Sequence, residues 1–416
     1  MKKKIIILLL TYCLVLGTVP VTLSAYRQEP GTEKTPIVLV HGFAGWGEDE
    51  LEGYNYWGGY FDIKRFLERN GYTVFTASVG AFSSNWDRAI ELFYQIKGGQ
   101  VDYGEEHCRQ YGHIQRPEGM MYENPLYPEW DDEHPVHFIG HSMGGQTIRV
   151  LSALLVGKGE VFQDVLLDRD GSPFTPGEGW IKSITTISTP HNGIATFDLF
   201  SETDLVASII AGFGNLELTG IIPEELYSFD LQQWGLYRKR EETLEDYIER
   251  VTETLGDTED FSIWELSTRG AAQLNEQVNF ETVDRTACYF SYANTQTKEV
   301  IKRSVYVPSI EMNPLFVQHA ITLGSSPEFT DPLDIGALWR ENDGMVNTAS
   351  MTAPLAGCSD SYVVYDGTAH TGVWNHMGTL WWDHCDMLGH SLSDIKELAA
   401  LQQFYLELCE MVSSLE

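Results

Sequence analysis

The residues Gly140-His141-Ser142-Met143-Gly144-Gly145 stand between an apolar run at 136–139 and a helix-forming stretch at 146–156. No other feature restricts the fold as strongly. The order is a short apolar strand, a serine among small residues, then a helix. It is the G-x-S-x-G pattern in the context that gives it meaning. Alone, the five-residue pattern is often a plain turn. Here the small flanking residues permit a tight strand-to-helix reversal in which bulky side chains would clash. A serine hydroxyl is inert at neutral pH, and such a perch with a base beside it makes it a nucleophile.

The rest of the chain alternates strands and helices. Residues 37–40 form a continuous apolar run ending at His41-Gly42, as a parallel strand buried on both faces requires. Residues 61–69 have helical spacing and stop at Asn70-Gly71. Further strands are predicted at 72–78, 136–139, 181–188, 289–292 and 362–365. Helices between them imply an α/β class with a mostly parallel sheet.

Acyl transfer at a serine generates an oxyanion that needs two N–H donors. Met143 follows the serine and supplies one. The Gly-rich loop His41-Gly42-Phe43-Ala44-Gly45-Trp46-Gly47 supplies the other, with Phe43 the best candidate. With this elbow the acid and then the histidine follow the serine in the chain. Asp343 sits in an Asn-Asp-Gly turn from which a carboxylate can point back, although such turns also occur without chemistry. His384 is favoured as the base, and His370, His376 and His390 are rivals.

Residues 1–25 read as a signal peptide, with Lys2, Lys3 and Lys4 before an apolar core and Ser24-Ala25 as its exit. The expectation is a secreted, extracellular protein. Its apolar run is short for a span of about 20 residues, so stable membrane insertion is not expected. Of six cysteines Cys13 falls in the signal peptide, and Cys108, Cys288, Cys358, Cys385 and Cys409 form an odd set with no framework spacing, which argues against dependence on disulfides. The net charge of −33 argues against nucleic acid and anionic membrane surfaces.

Several longer stretches carry a family resemblance: PIVLVHGFAGWGEDE, YWGG, SSNWDRA, GGQVDYGEEH, GHSMGGQT, TTISTPHNG, QWGL, NDGMVNT, YDGT, GVWNHMGT and DH. From Pro36 to the C-terminus the chain resembles the secreted bacterial lipases of the thermoalkalophilic Bacillus/Geobacillus type and their staphylococcal relatives. Gly140 agrees with the staphylococcal form. The resemblance implies an α/β-hydrolase fold with helices on both faces of the sheet. It implies hydrolysis of a lipid or ester substrate at an oil–water interface, by a Ser142, Asp343, His384 triad. Triacylglycerol is the first expectation, with simple esters, phospholipids or polyesters as alternatives.

The resemblance also implies a structural zinc held by Asp87, His107 and His113 in an inserted lobe at 83–125. The family's fourth ligand falls at Gln232 here, a poor zinc ligand, and Asp230 is the expected substitute. A calcium site is implied near Glu311, Asp386, Ser391 and Asp394, with Ser391 where an acid is expected; hard oxygen ligands suit Ca²⁺. Residues 196–227 are rich in large apolar groups, with Leu205, Ile209 and Phe213 at helical spacing. They read either as a buried core helix or, by resemblance, as a helical lid. A zinc hydrolase using Asp87, His107 and His113 catalytically is the competing chemistry, and it would need an open metal position.

Overall fold

The computed structural model describes residues 34–48, 50–51, 53–158, 177–199, 230–237, 239, 242–256, 258–301, 305–328, 336–354, 362–390 and 395–415. The signal peptide expected at 1–25 and nearly all of the lid expected at 196–227 lie outside them. So do Cys358, Ser391 and Asp394.

Seven strands build the central sheet: β1 Ile37–Val40, β2 Val74–Ala77, β5 Val136–His141, β6 Ile181–Ile187, β7 Cys288–Asn294, β10 Tyr362–Val364 and β11 Trp374–Leu380. Their order is β10-β11-β7-β6-β5-β1-β2, and every pairing is parallel. Two short antiparallel ladders lie apart from it, β3 Gly99–Gln100 with β4 Met121–Tyr122, and β8 Thr297–Ile301 with β9 Val305–Pro308. Sequence reasoning anticipated six strands of the central sheet and missed β11, whose Asn375, His376, Gly378 and Thr379 break its apolar run.

The apolar run of β1 divides between two cores, as a parallel strand covered on both faces demands. Val38 and Val40 pack with helices α2, Asn85–Lys97, and α4, Met143–Val156. Ile37 and Leu39 pack on the other face with α1, Ile63–Arg69, and the C-terminal helix Ile395–Ser413. A third cluster, containing Phe82, Met143, Ile194 and Val251, has Phe43 and Trp234 packed against it.

Residues 83–125 therefore hold two kinds of structure. Helix α2 is scaffold: Ser84 caps it by accepting from Asp87 N–H, and ten of its residues are buried. Beyond it come the β3–β4 ladder and helix α3, Glu105–Tyr111. Cys108, Cys288, Cys385 and Cys409 are free thiols. Among the described residues no helix is long and apolar enough to cross a membrane.

Helix α4 starts hard against β1. A Cβ on Gly144 would lie 2.3 Å from Val40 O, a backbone atom with little freedom to move. Gly144→Ala should thus push α4 off the sheet, costing about 1–3 kcal/mol. A thermal melt unchanged by the substitution would contradict this close approach.

Candidate active site and metal cluster

Ser142 lies at the C-terminal end of β5, the strand flanked by β1 and β6. Its backbone has φ 53° and ψ −130°, sparsely populated for a residue with a side chain. Ser142 N–H donates to Ile187 O of β6, and Gly145 N–H donates back to Ser142 O. The turn is thus over-determined by its neighbours, which is how such strain persists.

Asp343 and His384 come from different loops. The Asp343 loop is held by the segment leaving β7, where Gln296 N–H and the Thr295 and Thr297 hydroxyls donate to Asn342 O. His384 follows β11 closely. Its N–H donates to Asp343 O over 2.9 Å. His384 Nδ1 lies 2.7 Å from Asp343 Oδ2, and Nε2 lies 3.0 Å from Ser142 Oγ. A carboxylate only accepts, so Nδ1 carries the proton and Nε2 faces the hydroxyl as acceptor. Asp343 Oδ1 accepts from Met345 and Val346 N–H, which fixes the carboxylate. The rival histidines go elsewhere. His370 N–H donates to Asn375, His376 is 3.1 Å from Ser291 Oγ, and His390 meets Tyr56 O.

Phe43 lies just beyond β1, the neighbour of β5. Gly42 N–H is directed to Tyr56 Oη and Ala44 N–H to Ala81 O. A Cβ on Gly42 would stand 2.7 Å from Ser142 Cβ, so this loop lies against the nucleophile. Buried His41 braces it. Its Nδ1–H donates to Gly42 O and its Nε2 accepts from Val79 N–H. Burial and the Arg88 charge lower its pKa to about 3, so the ring is neutral.

A second cluster gathers Asp87 of α2, His107 of α3, His113 just past α3 and Asp260, each offering one ligand atom within 4.8 Å of the others. Asp260 Oδ2 lies 3.3 Å from His107 Nε2 and 3.1 Å from His113 Nε2. Asp87 Oδ1, His107 Nε2, His113 Nε2 and Asp260 Oδ2 are buried without a hydrogen-bond partner. Burial disfavours both imidazolium forms, but the Asp260 and Asp87 carboxylates outweigh it and push His107 up to about 9 and His113 up to about 11. The centre of the cluster thus favours positive charge.

The family described as lipase-like, C-terminal domain, matches residues 33–416. The chain belongs to this lipase-like family. It is 35% identical over 394 residues to Lipase 1 of Staphylococcus aureus, covering 92% of this chain and 55% of that protein. It thus spans about half the length of the curated relatives it matches. Among solved structures, EstA from Clostridium botulinum is similar at 37% identity with a TM-score of 0.82, over 93% of this chain and 89% of that one. Staphylococcus hyicus lipase is similar at 33% identity with a TM-score of 0.75, over 94% of this chain and 97% of that one. The fold is the α/β-hydrolase fold.

In this lipase-like chain the expected metal set needs one correction. The fourth group in the cluster is Asp260, where Asp230 was expected, and Gln232 is not part of it either. Gln232 Nε2 donates to Asp230 Oδ1 over 3.4 Å, outside the cluster. The QWGL stretch does border the cluster, but through Gln233, whose Nε2 donates to Asp87 Oδ2 over 2.8 Å, and through Trp234, whose ring packs on His113. Two imidazoles and two carboxylates with four converging orphan atoms fit a tetrahedral zinc.

Of the expected calcium set, Asp386 and Glu311 are described. Asp386 Oδ2 accepts from Gln296 Nε2 and from Asp383 N–H. Glu311 Oε2 accepts from Trp381 Nε1. Burial and the Asp383 charge push Asp386 up to about 7. Sequence reasoning missed Asp260, Tyr56 and His141. The only sequence trace of Tyr56 was its place in the matching YWGG stretch, and of His141 its place in the elbow.

Proposed function

We propose that this chain is a secreted carboxylic-ester hydrolase whose principal substrate is triacylglycerol. The observation that supports this most is the unbroken line from Ser142 Oγ through His384 to Asp343, with contacts of 3.0 and 2.7 Å. Its base already faces the hydroxyl in the required tautomer. The name of the Staphylococcus aureus relative, Lipase 1, points to the same substrate class.

His384 Nε2 takes the Ser142 proton as Oγ attacks the ester carbonyl. The resulting oxyanion is met by the N–H groups of Phe43 and Met143. The same imidazolium then protonates the departing alkoxide, leaving an acyl-serine. Water reverses the sequence, with His384 again as base. Asp343 keeps the proton on Nδ1 and stabilises the imidazolium in both halves.

Asp87, His107, His113 and Asp260 would hold a zinc ion in a structural role, joining the residues around α3 to the segment before helix Ser262–Leu266. A catalytic zinc keeps a position open, whereas here four protein groups converge on one point. Among the described residues none of the four hydrogen-bonds a triad member. Asp386 and the backbone carbonyl near Glu311 would contribute to a calcium site, where a cation would offset the burial and the Asp383 charge that raise Asp386.

Turnover of emulsified triacylglycerol and of soluble short-chain esters, before and after a serine-directed phosphonate, tests the proposal. Both activities should vanish with the phosphonate. Full resistance to it would reject the serine mechanism. Activity on soluble esters alone would make the chain an esterase.

A further inference from the structure

Tyr56 and His141 link the oxyanion loop, the nucleophile turn and the His384 loop. Tyr56 is 6% exposed and His141 1%. Tyr56 Oη accepts from Gly42 N–H at 2.9 Å and lies 2.7 Å from His141 Nδ1. His141 Nε2 lies 2.9 Å from His384 O. A carbonyl can only accept, so Nε2 carries the ring proton. Burial and the neighbouring His384 hold the His141 pKa well below its ordinary value, so the ring is neutral and Nδ1 is an acceptor. The tyrosine hydroxyl therefore donates to Nδ1. Every proton direction is fixed: Gly42 N–H to Tyr56 Oη, Tyr56 O–H to His141 Nδ1, His141 Nε2–H to His384 O.

The chain of bonds begins one residue before Phe43, passes through the residue before Ser142, and ends on the main chain of His384. Hydrogen bonds in a dry interior are strong and directional, and each partner left alone there is costly. We propose that Tyr56 and His141 are positioning residues that hold the oxyanion loop, the nucleophile and the base in mutual register for the tetrahedral transition state. This rests on the serine-hydrolase reading above. Edge-on and tilted ring contacts pack the same residues together. Tyr56 meets Trp46 at 5.3 Å and His141 at 5.8 Å, and His141 meets His384 at 4.7 Å between ring centroids.

Tyr56→Phe keeps the ring and removes the hydroxyl. Gly42 N–H and His141 Nδ1 then lose their partner, and the Phe43 amide is free to tilt. Losing a direct oxyanion donor costs about 100- to 1,000-fold in kcat, so an indirect loss of alignment should cost about 10- to 100-fold. KM for a soluble ester should stay within about 3-fold, because the ground-state ester does not use the oxyanion geometry. Affinity for a trifluoromethyl ketone, which adds to the serine as a tetrahedral oxyanion, should fall in proportion to kcat/KM.

Rates are normalised to active sites titrated with a serine-directed phosphonate, so a loss of folded protein does not count. A kcat within 2-fold of wild type per titrated site, with unchanged ketone affinity, would overturn the proposal, whatever the change in Tm. If Tyr56→Phe does not fold, His141→Gln decides by the same readouts. Its amide can still reach His384 O, but it offers Tyr56 no ring nitrogen. A wild-type chain that the phosphonate does not titrate would instead sink the underlying serine reading, so the two failures are distinguishable.

Discussion

Ser142→Ala is expected to lower ester hydrolysis by about 10⁴- to 10⁶-fold, since triad members act as a unit and one loss removes most of their joint effect. The protein should still fold. The hydroxyl faces His384, and the turn is held by backbone bonds from Ser142 N–H and Gly145 N–H. Asp343→Asn should be nearly as severe for a different reason. An amide offers N–H toward His384 Nδ1, which favours the wrong tautomer and turns Nε2 from an acceptor into a donor. Steady-state rates on a soluble ester, with circular dichroism to confirm folding, check both. Activity within 10-fold of wild type in Ser142→Ala would exclude Ser142 as the nucleophile.

The second large effect concerns the metal cluster. The wild-type chain purified without chelator is expected to carry zinc at close to one ion per molecule. Asp260→Asn should remove it, because Asp260 Oδ2 faces both imidazoles. Asp230→Asn should retain it. Structural zinc contributes its binding free energy to folding, so Asp260→Asn should melt well below wild type while the triad stays intact. Elemental analysis and thermal melts of the two variants decide the matter. Zinc lost from Asp230→Asn but retained in Asp260→Asn would restore the assignment made from sequence.

The expectation of Asp230 in place of Asp260 has a physical origin. Asp260 closes the acidic stretch at 241–260, and in a chain of net charge −33 such a run reads as a solvated surface. In the fold Asp260 is 3% exposed and faces two histidines. Nothing local distinguishes it from its exposed neighbour Glu259. The strand β11 escaped for a related reason. Its polar residues are accommodated by partners: Asn375 Nδ2 donates to Tyr289 O and His370 O, and His376 meets Ser291. Apolar patterning cannot register a strand that satisfies its polar groups in this way.

Features whose physics is local were legible from the residues alone. The apolar run at 37–40 needed no partner to declare a buried strand. The small residues around Ser142 declared a tight reversal, and the Gly-rich loop following β1 is the one that lies against it. Chain order placed an acid and then a histidine downstream, and the resemblance selected Asp343 and His384. Features that depend on distance through space were set by the packing of segments far apart in the chain. Asp260, 147 residues beyond His113, faces its imidazole at 3.1 Å, and His384, 242 residues beyond Ser142, faces its hydroxyl at 3.0 Å. Parallel pairing aligns Val40 of β1 with Gly140 of β5, and Tyr56, 14 residues beyond Gly42, reaches both the Gly42 N–H and His141 from its own loop. A hydrogen bond or a metal ligand is defined by geometry within a few ångströms, and folding sets that geometry through packing of segments that carry no local mark of their partners.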